Sequence, residues 1–208
     1  HNQTAALHLD NTPQTSPSHR TTTKEYAMNP QPMISMRKIF VSLAVGCMMI
    51  TAAHAQWTDA NKHPRYAIGV SIAGENIGTI DVELDATVAP RHVRNFDSLV
   101  AAKFYDGTLF HRIIPGFVIQ GGDPNTKTKP REKWGQGDST QTNVPAEFSA
   151  VKHVRGTISA ARKGNDINSA TSQFFICVDD TPNLDNKYTA YGMVVGGMEV
   201  VDKIVELS

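Results

Sequence analysis

Cysteine is almost absent: Cys47 and Cys177 are the only two in 208 residues. A disulfide scaffold is therefore excluded as the organising principle. Excess charge of one sign is also missing, since 20 basic residues balance 20 acidic ones. That argues against a broad electrostatic nucleic-acid binder, which would be basic. The G-x-S-x-G elbow of serine hydrolases does not occur. His63, His92, His111 and His153 show no H-x-x-x-H or Cys/His ligand spacing, so no metal site is expected. Gly135-Gln136-Gly137 lacks the Gly-Lys pair and the preceding strand of a phosphate loop. No cofactor is implied. After residue 56 there is neither an internal repeat nor a domain linker.

The single long apolar run lies early. Residues 1–35 are polar, rich in Thr, Asn, Gln, Pro and Ser, and read as disordered or as sequence upstream of the true start. At Met36 the character changes. Arg37-Lys38 forms a positive head, Ile39 to Ile50 is nearly all apolar, and Ala53-His54-Ala55 is an A-x-A cleavage site. Residues 36–55 thus have the pattern of a secretory signal peptide. The run is too short to span a bilayer, which takes about 20 apolar residues. An uncleaved anchor is the alternative. Cys47 reads as part of the apolar run rather than as a lipidation site. The expectation is an exported protein, periplasmic or secreted, without stable membrane insertion, whose working part is residues 56–208. In it Cys177 sits within Phe174-Phe175-Ile176-Cys177-Val178 and reads as a buried core thiol.

Tyr66, Ile68, Val70 and Ile72 alternate with small or polar residues, and so do Ile80, Val82 and Leu84 beyond a Gly74-Glu75-Asn76 turn, which predicts a hairpin. A helix is expected from Pro90, whose missing N–H suits a first turn, to about Lys103, with Val93, Phe96, Leu99 and Val100 on one face. Pro124 to Thr142 reads as a solvated loop: Asp123, Glu132 and Asp138 dilute its lysines and arginine. Strands are expected over Gly156–Ala161, Ser172–Cys177 and Thr189–Val195, and a helix over Met198–Leu207.

The stretch Phe110-His111-Arg112-Ile113-Ile114-Pro115-Gly116-Phe117-Val118-Ile119-Gln120-Gly121-Gly122-Asp123 stands apart. It reads as two short strands turned at Pro115-Gly116. Arg112 and Gln120 interrupt apolar neighbours, where an unpaired buried charge would be costly. Either they face solvent by alternation or they line a pocket. An arginine, glutamines and aromatics suit binding and electrostatic polarisation rather than covalent or acid–base chemistry.

This stretch resembles the cyclophilin signature. So does Ser172-Gln173-Phe174-Phe175-Ile176, with Gly156-Thr157-Ile158-Ser159 before it, and Asn183-Leu184-Asp185-Asn186-Lys187 followed by Tyr191-Gly192. The resemblance covers roughly residues 65–205, and together with the signal-like segment the chain looks like a bacterial exported, periplasmic type of this family. It implies a mainly β fold, a closed eight-stranded antiparallel β-barrel capped by two α-helices, and peptidyl-prolyl cis-trans isomerase activity on proline-containing polypeptides. Carried over, Arg112 is the catalytic arginine, Gln120 positions it and the substrate, and Phe117 completes the catalytic set. Val118, Phe175 and Leu184 line the proline pocket. Ala161, Arg162 and Gln173 contact the peptide backbone, His111 sits beside the site, and Tyr188 is counted among the substrate-binding residues.

The chain also departs from the family. Cyclosporin-sensitive members carry tryptophan where Asn183 stands and histidine where Tyr188 stands, so weak cyclosporin binding is expected. Arg162 replaces an asparagine and adds a charge at the groove edge. Val118 is smaller than the usual methionine. The strand that follows the last helix is missing or shortened, unless Ile204 to Leu207 forms it. The chain is expected to act as a monomer without nucleic acid. A prolyl-peptide-binding, chaperone-like module of the same fold is the alternative to the enzyme.

Overall fold

The computed structural model describes Ala5–Asp10 and residues 62–206; the signal-like segment and Cys47 lie outside the described residues. Strands β2 (Arg65–Ile72) and β3 (Glu75–Leu84) form the hairpin that alternation predicts. Tyr66, Ile68, Val70 and Ile72 are buried on one face, opposite Ile80, Val82 and Leu84. The turn puts Ala73 and Gly74 at positive φ. A further strand, β1 (Ala5–Asp10), pairs antiparallel with the outer edge of β2, inside the stretch read from sequence as disordered.

Helix α1 (Pro90–Ala101) begins at Pro90 and buries His92, Val93, Phe96 and Val100. Its own N-cap, Ala89, offers no side-chain acceptor. Glu147 supplies one from afar, accepting the backbone N–H groups of Arg91 and His92 at 3.1 Å. A carboxylate there also meets the positive end of the helix dipole.

The remaining elements are β4 (Arg112–Ile114), β5 (Val118–Gly121), the single turn α2 (Asn125–Thr128), a 3₁₀ turn over Arg131–Lys133, β6 (Thr157–Ala160), β7 (Phe174–Cys177), a second 3₁₀ turn over Pro182–Leu184, β8 (Ala190–Gly196) and α3 (Met198–Glu206). The eight strands form one antiparallel sheet in the order β1-β2-β3-β8-β6-β7-β5-β4. Helix α3 touches both β3 and β4, five steps apart in that order. A flat sheet would hold them about 24 Å apart, so the sheet must curl around the helix. No ladder among the described residues joins the edge strands β1 and β4, so the structure gives a curled sheet rather than a demonstrated closed barrel.

The helix seats closely because of Gly78: a Cβ there would lie 2.6 Å from Val200 Cγ2. Val200, Val201 and Ile204 are buried beneath it. Ile204 is thus part of a helix that runs on to Glu206, and the reading of Ile204 to Leu207 as a strand is corrected; the i,i+4 apolar spacing that fits a helix prevails.

Burial in β7 explains its unbroken apolar run. Phe174 and Ile176 belong to the main core inside the curl. Phe175 and Cys177 face the other way, into a second cluster with Val118 and Leu184. A strand buried on both faces carries no polar alternation. That second cluster, on the outer face of the sheet, is where the site lies.

Candidate functional site

The β4–β5 hairpin turns at Pro115-Gly116, with Gly116 at φ +69° and the Phe117 N–H donating to the Ile114 carbonyl. Its register puts Arg112 opposite Gln120, and the ladders carry the same row on: Gln120 pairs with Phe175, and Phe175 with Ser159. Because strand side chains alternate between faces, Arg112, Gln120, Phe175 and Ser159 form one line across four strands on the outer face, while Ile113, Ile119 and Ile158 go to the main core. The arginine and glutamine that looked misplaced in an apolar hairpin are therefore on the face that carries the second cluster.

Hydrogen-bond polarity orders the row. The Gly135 carbonyl can only accept, so the Gln173 amide must donate to it, at 3.2 Å. The Gln173 carbonyl oxygen then accepts from Gln120 Nε2 at 3.0 Å. That leaves Gln120 Oε1 facing outward, where it accepts from Arg112 Nη1 at 3.3 Å. A backbone carbonyl in the 124–142 loop thus sets the orientation of two glutamines and tethers an exposed guanidinium. The Arg112 Cζ stands 6.0 Å from the centroid of the Phe117 ring, at the outer limit of a cation–π contact.

Beside this guanidinium is a cavity of about 260 Å³ lined by Arg112, Phe117, Val118, Gln120, Ala161, Arg162, Phe175, Leu184 and Tyr188. Phe117, Val118, Ala161, Phe175, Leu184 and Tyr188 supply its apolar side, and Arg112, Gln120 and Arg162 make the rest of its surface polar. Phe175 and Tyr188 meet edge to face, with ring centroids 5.6 Å apart. Nine of the eleven residues singled out from sequence line this cavity. Gln173 lines an adjoining polar cavity of about 440 Å³, which shares Gln120, Ala161 and Arg162 with the first. His111 lines a third, of about 450 Å³, with Arg112, Gln120, Arg131, Trp134, Gly135 and Gln136.

Arg162 lines the groove edge, where it donates from Nε and Nη2 to the Lys187 carbonyl and from Nη1 to the carbonyls of Lys163 and Gly164. Its Cζ lies 4.6 Å above the Tyr188 ring. The planar fork of an arginine suits such multiple donation, and it straps the Tyr188 wall to the β6 side of the pocket.

Burial pushes the His111 imidazole below the ordinary histidine range, against a smaller upward pull from Asp123. A neutral ring beside Arg112 fits a site with no proton-transfer step. The Cys177 thiol is raised to about 11 by burial, which keeps it protonated and supports its reading as a core thiol. Among the described residues no group of three or more His, Cys, Asp or Glu is placed to hold a metal ion.

Sequence reading missed the contribution of the 124–142 loop. Asp123 is fully buried; its Oδ1 accepts from the Asn125 N–H and its Oδ2 from the Gly135 N–H, folding the loop so that Gly135 meets Gln173. The signal was present in Asp123 closing the Gln-Gly-Gly-Asp run, but the partner that folds the loop, Gly135, lies 12 residues downstream.

The family model of cyclophilin type peptidyl-prolyl cis-trans isomerases matches residues 69–208. A probable peptidyl-prolyl cis-trans isomerase of Brucella suis biovar 1 is 46% identical over 131 residues, which cover 61% of this chain and 66% of the relative. The chain therefore spans just under two thirds of that relative's length. Peptidyl-prolyl cis-trans isomerase A of Dickeya dadantii is 43% identical over 138 residues, covering 62% of this chain and 67% of the relative. Among solved structures, a Cryptosporidium parvum cyclophilin type isomerase, determined in the presence of the dipeptide Ala-Pro, superposes with a TM-score of 0.55 at 31% identity, covering 62% of this chain and 79% of that one.

Proposed function

Because the chain belongs to the cyclophilin type peptidyl-prolyl cis-trans isomerase family, we propose that it accelerates rotation about X–Pro bonds in polypeptides, with the prolyl ring in the 260 Å³ cavity and Arg112 donating to the prolyl nitrogen. One observation carries this reading: a cavity with an aromatic and aliphatic side, bordered by a guanidinium tethered through the Gln120–Gln173 relay.

The chemistry needs nothing more. Amide resonance raises a barrier of about 18–20 kcal/mol to rotation. Bringing a step of tens to hundreds of seconds to milliseconds means lowering that barrier by about 7 kcal/mol, or five decades. As the amide twists, resonance is lost and the nitrogen lone pair becomes a better acceptor. A donor held at that nitrogen binds the twisted state more tightly than either planar state, which is the condition for catalysis. Phe117, Val118, Phe175, Leu184 and Tyr188 hold the ring while the carbonyl side turns. Ala161, Arg162 and Gln173 border the path of the peptide backbone, and His111 contributes shape and polarity beside it.

The protein acts as a monomer on exported polypeptides, with residues 36–55 removed as a signal peptide. Asn183 and Tyr188 stand where cyclosporin-sensitive members of the family carry tryptophan and histidine, so cyclosporin binds weakly; nanomolar inhibition would contradict this. Two-dimensional exchange NMR on an Ala-Pro peptide tests the activity itself. Exchange cross-peaks growing in with catalytic amounts of protein are expected, and a peptide that binds without faster exchange would leave only the binding function.

A further inference from the structure

Behind the pocket lies a buried constellation that the isomerisation chemistry does not use. His153 is 1% exposed and Ser159 is fully buried. The ring Nδ1 of His153 donates to Asp185 Oδ1 at 3.1 Å, and Nε2 lies 3.0 Å from Ser159 Oγ. Serine, histidine and carboxylate in sequence would elsewhere suggest a nucleophile. Here no substrate can reach the hydroxyl, so the arrangement has another role.

We propose that His153 is a positioning residue for the proline pocket, holding Phe175 of β7 and Leu184 of the 3₁₀ turn, which come from separate segments, at a fixed separation. This rests on the isomerase reading of that pocket. One residue ties both ends of the turn. The His153 carbonyl accepts from the Thr181 N–H at 2.7 Å, and its backbone N–H donates to Asp185 Oδ1 at 2.8 Å. Leu184 sits between them, its N–H bonded to the Thr181 carbonyl. The imidazole stacks on Phe175 with ring centroids 6.1 Å apart and planes at 23°. Its Nε2 meets Ser159, the residue paired with Phe175 across β6 and β7. Thus the same ring backs one wall and, through Asp185, fixes the other. Lys152 Nζ holds the second Asp185 oxygen at 3.1 Å. None of these groups lines the cavity, so their effect passes through Phe175 and Leu184 alone.

The full chain and its His153→Phe, His153→Asn and Asp185→Ala variants test this by exchange NMR on an Ala-Pro peptide, with kcat and KM separated. Phenylalanine keeps the stacking but loses both ring bonds. It should raise KM about fivefold or more, the effect of one or more net hydrogen bonds, with kcat within about threefold because Arg112 and Gln120 are untouched. Asparagine, whose amide can replace Nδ1 towards Asp185, should recover part of the loss. Ile204→Val, which removes a methyl group in the main core, should lower stability without moving KM. An unchanged KM in folded His153→Phe, or a KM that follows stability in Ile204→Val, overturns the proposal. If His153→Phe does not fold, Asp185→Ala, which removes the acceptor of both His153 bonds, decides, with a raised KM expected and an unchanged one contradicting it. A wild-type chain that binds the peptide without isomerising it removes the enzyme reading instead, and peptide Kd then replaces KM in the same comparison.

Discussion

Replacing Gln173 with leucine probes how Arg112 is held. Gln173 is 9% exposed and sits between the Gly135 carbonyl and the Gln120 amide. The leucine variant removes both bonds. Gly135 is exposed, so its carbonyl regains water and costs little. The Gln120 amide loses the partner that distinguishes its two orientations, and one of them turns an N–H group toward Arg112. A typical net hydrogen bond is worth about 0.5–1.5 kcal/mol. Loss of one therefore predicts a fall in kcat/KM of about fivefold, given that about 1.4 kcal/mol is tenfold. Gln173→Glu makes the comparison sharp. A carboxylate still accepts from Gln120 Nε2, so that amide keeps its orientation, while the bond to Gly135 is lost. The glutamate variant should retain more activity than the leucine variant in exchange NMR on the same peptide, at matched folded fraction. Leucine equal to wild type, or better than glutamate, would refute the relay.

Two further outcomes follow from particular groups. Glu147→Ala should lower stability by about 0.5–2 kcal/mol, as loss of a helix cap does, because it strips the acceptor from Arg91 and His92 at the start of α1; urea unfolding with an unchanged m-value measures it. His92, His111 and His153 are each held below the ordinary histidine pKa, chiefly by burial. The unfolded chain then binds protons first as pH falls from about 6.5, so their stabilising contribution is present above that value and is lost as pH falls through the lower folded values. The melting temperature should be flat from pH 8 to 7 and decline below 6.5, with a shallower decline in His153→Gln; no change down to pH 5 would contradict it.

Much of the site could be read along the chain because its parts are local. The hairpin at Pro115-Gly116, with Arg112 facing Gln120, needs only strand alternation and a turn dipeptide. The two-sided burial of β7 shows in the unbroken run Phe174 to Cys177. The start of α1 at Pro90 follows from proline geometry. What stayed hidden depends on contacts between distant segments. Gly135 looked like an ordinary loop glycine until Gln173, 38 residues on, was found against its carbonyl. Nothing in the neighbourhood of Arg162 announces Lys187 and Tyr188 as its partners. The α1 cap comes from Glu147, 56 residues away. Periodicity reports which face an element buries; it does not report which remote polar group will arrive there.

The central claim is that Arg112 acts on the twisted amide and not on the ground state. Measuring kcat by exchange NMR and peptide Kd by titration, side by side in wild type and Arg112→Ala, separates the two. Removing one donor to a transition state costs about 10²–10³ in rate. The account predicts a fall of at least about 100-fold in kcat with Kd within about threefold, since the ring-holding walls remain. A kcat within about threefold of wild type, or a loss confined to Kd, would contradict it.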